Sequence, residues 1–290
     1  MTDFSPAYAA LDPAYAALDA VKSASDVRET LLASTIAMKD AKIAELQAIV
    51  DSIPKPPPPT VGEPDTTGWT WVRNDSTGKV SGNNYVVQGS PRTNAIMKHP
   101  TKTLWLHTMR KGDKWAGGGE RNELELDRGT AWANDVPVWM AFSYFVRPGA
   151  KVSSLWGPCI TQCHSNDFSY DAPNMFLVYT ADDALRAVTD TPNKVHGTIG
   201  TSRGVWHDIL IQIAMDPEST KSVFRIWHDK ATAPQINSTN YKSGYTTGKT
   251  YRKIGPYREP ADEDFDIFYT NHEFGADLSY RIGNPAPVIL

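Results

Sequence analysis

The sequence predicts a mostly β chain, a two-sheet sandwich or jelly roll preceded by an N-terminal helical stalk. Three observations lead there. Residues 23–53 contain no Gly or Pro and are dominated by Ala, Leu, Ile, Lys, Glu and Asp, a composition that favours helix. Pro54-Lys55-Pro56-Pro57-Pro58-Pro59 then interrupts it, because proline lacks an N–H and holds the backbone extended. From about Asp65 onward, short alternating runs rich in β-branched and aromatic residues are broken by Gly, Pro, Asn and Asp, the pattern of many short strands.

In the stalk, Pro-Ala-Tyr-Ala-Ala-Leu-Asp at 6–12 recurs unchanged at 13–19, a repeat too short for a solenoid. Ile36, Ile43 and Val50 are spaced by sevens, and Leu32, Lys39, Leu46 and Ile53 form the matching second seam. Ile-rich seams lean towards three-stranded coiled coils, so residues 1–53 read as an oligomerisation stalk, a homotrimer despite Lys39. The alternative is an amphipathic helix lying on its own globular domain. Residues 54–64 read as a Pro-rich linker and 65–290 as the β head.

Within the head, Val136–Val146, Trp206–Ala214 and Val223–Trp227 carry the strongest strand signal. Only Ala181–Val188 reads as helix. Hydrophobic residues make up 40% of the 290 and charged residues 21%, enough for a packed core and too apolar for disorder. No apolar run approaches the roughly 18 residues of a membrane-spanning helix. A net charge of -4 argues against a general nucleic-acid binder. Cys159 and Cys163, on one strand, would stand about 13 Å apart at 3.3 Å per residue, too far for a disulfide. Met1-Thr2-Asp3-Phe4-Ser5-Pro6 lacks the basic start and apolar core of a secretory signal.

Three segments show a polar face backed by an apolar one when read with a two-residue period. In Glu120-Arg121-Asn122-Glu123-Leu124-Glu125-Leu126-Asp127, the odd positions share one face while Leu124 and Leu126 take the other. In Ile160-Thr161-Gln162-Cys163-His164, Gln162 and His164 lie together, an amide donor beside a base that titrates near neutrality. In Tyr251-Arg252-Lys253-Ile254-Gly255-Pro256-Tyr257, Tyr251, Lys253 and Tyr257 oppose Ile254. Each segment alone would be an ordinary solvated sheet surface.

Arg-x-Glu-Leu at 121–124, Gln-x-His at 162–164 and Tyr-x-Lys-x-Gly-x-Tyr at 251–257 occur in this order. That ordered triple resembles the signature strands of jelly-roll polysaccharide lyases, namely alginate lyases and the related heparin lyase and glucuronan lyase group. Gly204-Val205-Trp206-His207-Asp208 and Phe224-Arg225-Ile226-Trp227-His228-Asp229 are similar to stretches of the heparin-lyase-like group, although Lys230 stands where its Trp-x-Asp-Gly turn has Gly. The resemblance covers about residues 70–260. It implies a concanavalin A-like jelly roll in which Arg121 and Gln162 grip a uronate carboxylate. It makes His164 the base candidate and Tyr257 the proton donor, with Tyr257 able to perform both transfers for some sugar configurations. Glu123, Lys253 and Tyr251 would line the groove.

The chemistry follows from elementary acidity. A proton on the carbon beside an ionised carboxylate is too weakly acidic to leave. Neutralising that carboxylate with Arg and amide donors stabilises the enolate-like dianion of the transition state. A base and an acid then complete β-elimination and leave an unsaturated uronate end. No cofactor or metal enters this scheme, and His99, His107, His207, His228 and His272 read as scattered structural or surface residues. Two other readings remain. A glycoside hydrolase would need a carboxylate pair about 5–5.5 Å apart when retaining. Glu123 and Glu125, about 6.6 Å apart by strand rise, are not excluded, although Glu-Leu-Glu-Leu-Asp inverts the residue types of the glucanase pattern of this fold. A non-catalytic carbohydrate-binding or structural head would keep the fold and lose turnover. A stalk, no signal-like start and a polysaccharide-cleaving head resemble a phage virion appendage, attached by its N-terminus and acting at the host surface on capsule or exopolysaccharide. A bacterial protein exported without a classical signal is the alternative.

Overall fold

The computed structural model describes residues 17, 21–23, 25–29, 31–43, 45, 62–80, 82–114, 119–126, 132–150, 152, 157–165, 173–189, 194–218, 220–244 and 249–290. The chain divides into two compact units, Met1–Pro59 and Thr60–Leu290. In the first, residues 31–43 are helical, and Leu31, Leu32, Ile36, Met38 and Ile43 are all exposed. The seam positions Leu46, Val50 and Ile53, most of the 6–19 duplication and the polyproline run lie outside the described residues. Among the described residues no helix is long and apolar enough to cross a membrane.

The second unit is built of strands. In chain order they begin with β1 (Thr70–Trp71), β2 (Thr77–Val80), β3 (Asn83–Gly89), β4 (Ile96–Lys98), β5 (Trp105–Met109) and β6 (Glu120–Leu126). Next come β7 (Val138–Val146), β8 (Cys159–Ser165), β9 (Pro173–Tyr179), β10 (Ala184–Thr189) and β11 (Lys194–Gly200). The last are β12 (Trp206–Ala214), β13 (Val223–His228), β14 (Ile236–Thr239), β15 (Thr250–Arg258) and β16 (Phe265–Gly275). One sheet runs β1-β4-β5-β16-β7-β12-β13-β14 and the other β11-β10-β9-β8-β15-β6-β3-β2. Every paired neighbour is antiparallel. The two sheets pack face to face as a sandwich.

Alternation along the strands makes the shared core. Met140, Phe142 and Tyr144 of β7, Ile209, Ile211 and Ile213 of β12 and Ile267 of β16 meet Val87, Leu124, Leu126, Leu177 and Ile254 of the other sheet. Each such side chain contributes roughly 1.5–3 kcal/mol when fully buried. The helical reading of Ala181–Val188 is corrected: residues 184–189 are strand β10, paired with both β9 and β11. Leu185 and Ala187 point into the core, and that two-residue period overrides the helix propensity of alanine. Asp183, at φ +56, supplies the tight turn before it, the left-handed conformation that Asp tolerates better than most residues.

Candidate active site

Four adjacent strands of the second sheet, β8, β15, β6 and β3, carry the polar face. Register places Lys253 opposite both Gln162 and Glu125, Tyr251 opposite His164, and Tyr257 opposite Arg121. Leu124, Leu126, Cys163 and Ile254 on these strands point into the core, so Arg121, Glu123, Glu125, Gln162 and Lys253 occupy the outer face. Ile160 shares the parity of Gln162 and His164 yet lies in the core. A register shift between Cys159 and Thr161 turns the strand over at that point.

Gly255 sits at φ +125, and a Cβ there would lie 2.4 Å from Asn122 O and 2.6 Å from His107 Nδ1. Only glycine lets β15 pass this close to β6 and to the opposite sheet, which is the physical reason for the Gly of the Tyr-x-Lys-x-Gly-x-Tyr run.

The side chains form one connected network. The Arg121 guanidinium lies over the Tyr257 ring at 4.5 Å, and its Nε is 3.2 Å from Glu123 Oε2. Gln162 Nε2 donates to Glu123 Oε1 at 2.6 Å. Gln88 on β3 ties the rest together: its Oε1 accepts from Arg121 Nη1 at 3.3 Å and from Lys253 Nζ at 2.9 Å, and its Nε2 donates to Glu125. At the far end, the His164 and Tyr251 rings lie 5.7 Å apart, and Lys253 Nζ is 5.9 Å from the Tyr251 ring centre.

The face is not an ordinary solvated sheet surface. Gln88, Glu123, Glu125, Gln162, Tyr251 and Lys253 are all buried. Lys253 and two carboxylates can be buried together because each is hydrogen-bonded, which offsets the desolvation of the charges. Access is confined to the ends of the face. His164 and Tyr257 are half-buried, and the Arg121 side chain keeps 12% of its surface. Of the expected groove-lining residues, Glu123 and Lys253 instead brace Arg121 and Gln88, and the Gln162 amide is held by Glu123.

His164 faces Tyr251 across the strands, six residues along β15 from Tyr257, about 20 Å of strand rise. These two groups therefore approach the network from opposite ends, with Lys253 between them. Burial pushes the Tyr257 phenol above its ordinary range, and the Arg121 charge offsets part of that rise. A phenol in this state carries its proton at neutral pH and is suited to donating it.

Gln88 escaped sequence reading. It is a lone amide after Tyr85-Val86-Val87, and only the pairing of β3 with β6, Gln88 opposite Glu123, brings it into the network. The reading of the histidines as scattered is corrected for two of them. His207 and His228 are stacked at 4.8 Å beside Asp229, and the three form one group of possible metal ligands. His107 and His272 are buried, His107 Nδ1 donating to Asn122 O at 2.7 Å. The two heparin-lyase-like stretches therefore pack on one another: Asp208 N donates to Asp229 Oδ1 at 2.8 Å, and Asp229 N returns a bond to Asp208 O at 2.8 Å.

No curated protein matches the sequence. Solved structures similar to the chain include a family 7 alginate lyase determined with bound substrate, at 13% identity and TM-score 0.48, covering 65% of this chain and 90% of its own. An alginate lyase from polysaccharide lyase family 7 has 13% identity and TM-score 0.47, with 73% and 95% covered. A GH131 β-glucanase catalytic domain from Podospora anserina has 16% identity and TM-score 0.48, with 74% and 95% covered. These likenesses decide nothing about chemistry. The sequence model of the polysaccharide lyases matches residues 64–272, which includes the three strands bearing the Arg-x-Glu-Leu, Gln-x-His and Tyr-x-Lys-x-Gly-x-Tyr runs. With that span, most of its length, the chain belongs to the polysaccharide lyase family.

Proposed function

We propose that the chain cleaves a uronic-acid-containing polysaccharide by β-elimination on the outer face of the β8–β15–β6–β3 sheet. The observation that carries this reading is the partly exposed Arg121 guanidinium stacked on the half-buried Tyr257. A cation that can neutralise a uronate carboxylate stands next to a phenol that keeps its proton.

In this mechanism Arg121, held in place by Glu123 and Gln88, binds the carboxylate and stabilises the charge that develops on it. Gln162 fixes Glu123 and, when substrate displaces that contact, adds its amide to the carboxylate. Tyr257, beside Arg121, performs both transfers: it gives its proton to the departing glycosidic oxygen and takes up the one from the carbon beside the carboxylate. His164, at the far end of the face, instead meets the polymer at another sugar. The C–O bond breaks as a carbon–carbon double bond forms. Tyr251 and Lys253 lie along the path between His164 and Tyr257.

A hydrolase is less well supported because both candidate carboxylates are committed. Glu123 is engaged by Arg121 and Gln162, and Glu125 accepts from Gln88. Asp127, the remaining carboxylate of the run, lies outside the described residues. A binding head remains the second reading, favoured by how little of the polar face is open. An absorbance assay over a panel of uronate polymers tests the proposal. Ultraviolet-absorbing unsaturated ends on at least one polymer support it. New reducing ends without that absorbance point to a hydrolase, and binding without product points to a binding head.

The exposed apolar residues on helix 31–43 support self-association of the N-terminal unit, as a homotrimer on its heptad spacing. Together with the head this favours a virion appendage that depolymerises host capsule or exopolysaccharide. A chain lacking residues 1–53 should be a folded monomer in light scattering. A truncated head that remained trimeric would overturn the stalk assignment.

A further inference from the structure

On the other sheet, at the open end of the β12–β13 ladder, three side chains with metal-binding atoms converge. Asp229 Oδ2 lies 3.0 Å from His207 Nδ1 and 3.5 Å from His228 Nδ1. The two imidazoles are stacked with ring centres 4.8 Å apart, and the three ligand atoms all lie within 4.8 Å of one another. A tetrahedral zinc ion, with bonds of about 2.0–2.2 Å, spaces its ligands by roughly 3.3 Å, so only small side-chain movements close the set around one ion. We infer that His207, His228 and Asp229 form a site for a borderline divalent ion of the zinc class, with water completing the shell.

The surroundings of the cluster argue for a metal beyond mere proximity. Metal-binding imidazoles are normally oriented by an oxygen partner on the distal nitrogen, and both rings have one. His207 Nε2 is 3.0 Å from Ser202 O, and His228 Nε2 is 3.4 Å from Tyr144 OH. His207 has partners for either tautomer. Without metal, Nδ1–H donates to Asp229 while Nε2 accepts from Ser202 N–H at 3.1 Å. With metal, the proton sits on Nε2 and is accepted by Ser202 O, which frees the Nδ1 lone pair for coordination. Both histidines are buried, whereas the Asp229 side chain is 43% exposed, leaving an entry path and room for water. Two nitrogens and one carboxylate suit zinc-class ions rather than calcium or magnesium, which take oxygen shells.

A simpler role is also built in: Asp229 closes the turn after β13 at φ +56 by accepting from Asp208 N–H. The experiment must therefore separate turn from metal. Untagged full-length chain, stripped with chelator, is titrated with zinc, calcium and magnesium chlorides by calorimetry and thermal unfolding. The expected result is one zinc per chain with a rise in Tm, and no rise with calcium or magnesium. Asp229→Asn keeps the acceptor for Asp208 N–H and tolerates the left-handed backbone, so it should keep the metal-free Tm while weakening zinc binding at least about 10-fold. His228→Gln should do the same without touching the turn. Absence of zinc binding, or equal binding in wild type and both variants, would overturn the assignment.

Discussion

The two sheets share one core and differ on their outer faces. On the β7-containing sheet the outer face holds two apolar clusters, Trp139, Ala141, Leu210, Trp227 and Leu278 in one and Trp69, Leu104, Leu106, Phe145 and Phe268 in the other. Beside them lie ion pairs of Asp208 with Arg281 and of Asp266 with Arg110 and Arg147. On the β15-containing sheet the corresponding positions hold Arg121, Glu123, Glu125, Gln162 and Lys253. The first face is held mainly by hydrophobic contact and the second by a network of charged hydrogen bonds that is open only near His164, Arg121 and Tyr257. Apolar burial is non-directional and stabilises wherever it occurs. Burying charges stabilises little or nothing, so the charged network contributes less to stability than the apolar clusters of the first sheet. On the proposed reading, function lies on the second sheet and stability rests mainly on the first.

Substitutions on the two faces should therefore fail in different ways. Tyr257→Phe should lower kcat by roughly 10²–10⁴-fold, the usual loss for a proton-transfer group, and His164→Ala should act chiefly on KM, both with unfolding midpoints near wild type. Trp139→Ala, which removes one partner of the stacked Trp139–Trp227 pair, should lower stability by about 3–5 kcal/mol and leave kcat per folded molecule unchanged. A kinetic defect in Trp139→Ala that persists in fully folded protein would erase the division between faces.

Much of that division was legible beforehand. Parity in the 121–126, 162–164 and 251–257 runs separates the polar residues from Leu124, Cys163 and Ile254, and the core is where parity puts it. Three things were not legible, each for a physical reason. The inversion at Ile160 depends on a bulge, which has no composition signature in this run. Gln88 and the pairing of His207 with Asp229 depend on which strands become neighbours, information absent from local period. The burial of Glu123 and Lys253 is a property of the whole face and of the bonds its members make to each other.

Acid should reveal the buried histidines between the sheets. Burial holds His107 down at about 4 and His272 at about 3, whereas an unfolded histidine titrates near about 6.5. Below that value the unfolded chain takes up protons that the fold refuses, so stability falls as pH drops, by about 1.4 kcal/mol per pH unit per group. Above it both states are neutral at these sites and the contribution is constant. Denaturant midpoints from about pH 6.5 down to about pH 4 should decline steeply, and His272→Leu should make the slope shallower by one group. An unchanged slope would remove His272 from the account.

The smallest effect is expected at Gln88. Gln88→Ala takes a partner from Lys253, Arg121 and Glu125 at once, and each unsatisfied buried group costs roughly 1–3 kcal/mol unless water enters. Because Arg121 keeps Glu123, kcat/KM should fall only about 10-fold, mostly through KM. A loss as large as that of Tyr257→Phe would make Gln88 part of the chemistry instead of its scaffold.

The central claim is that the charged face breaks glycosidic bonds by elimination, without water entering the products. Digestion of a uronate polymer in ¹⁸O-labelled water, followed by mass analysis of the oligosaccharides, tests it most directly. Elimination predicts product pairs whose masses sum to that of the parent, no label gained from bond cleavage, and loss of those products in Tyr257→Phe. One labelled oxygen per cleaved bond, or undiminished cleavage by Tyr257→Phe, would contradict it.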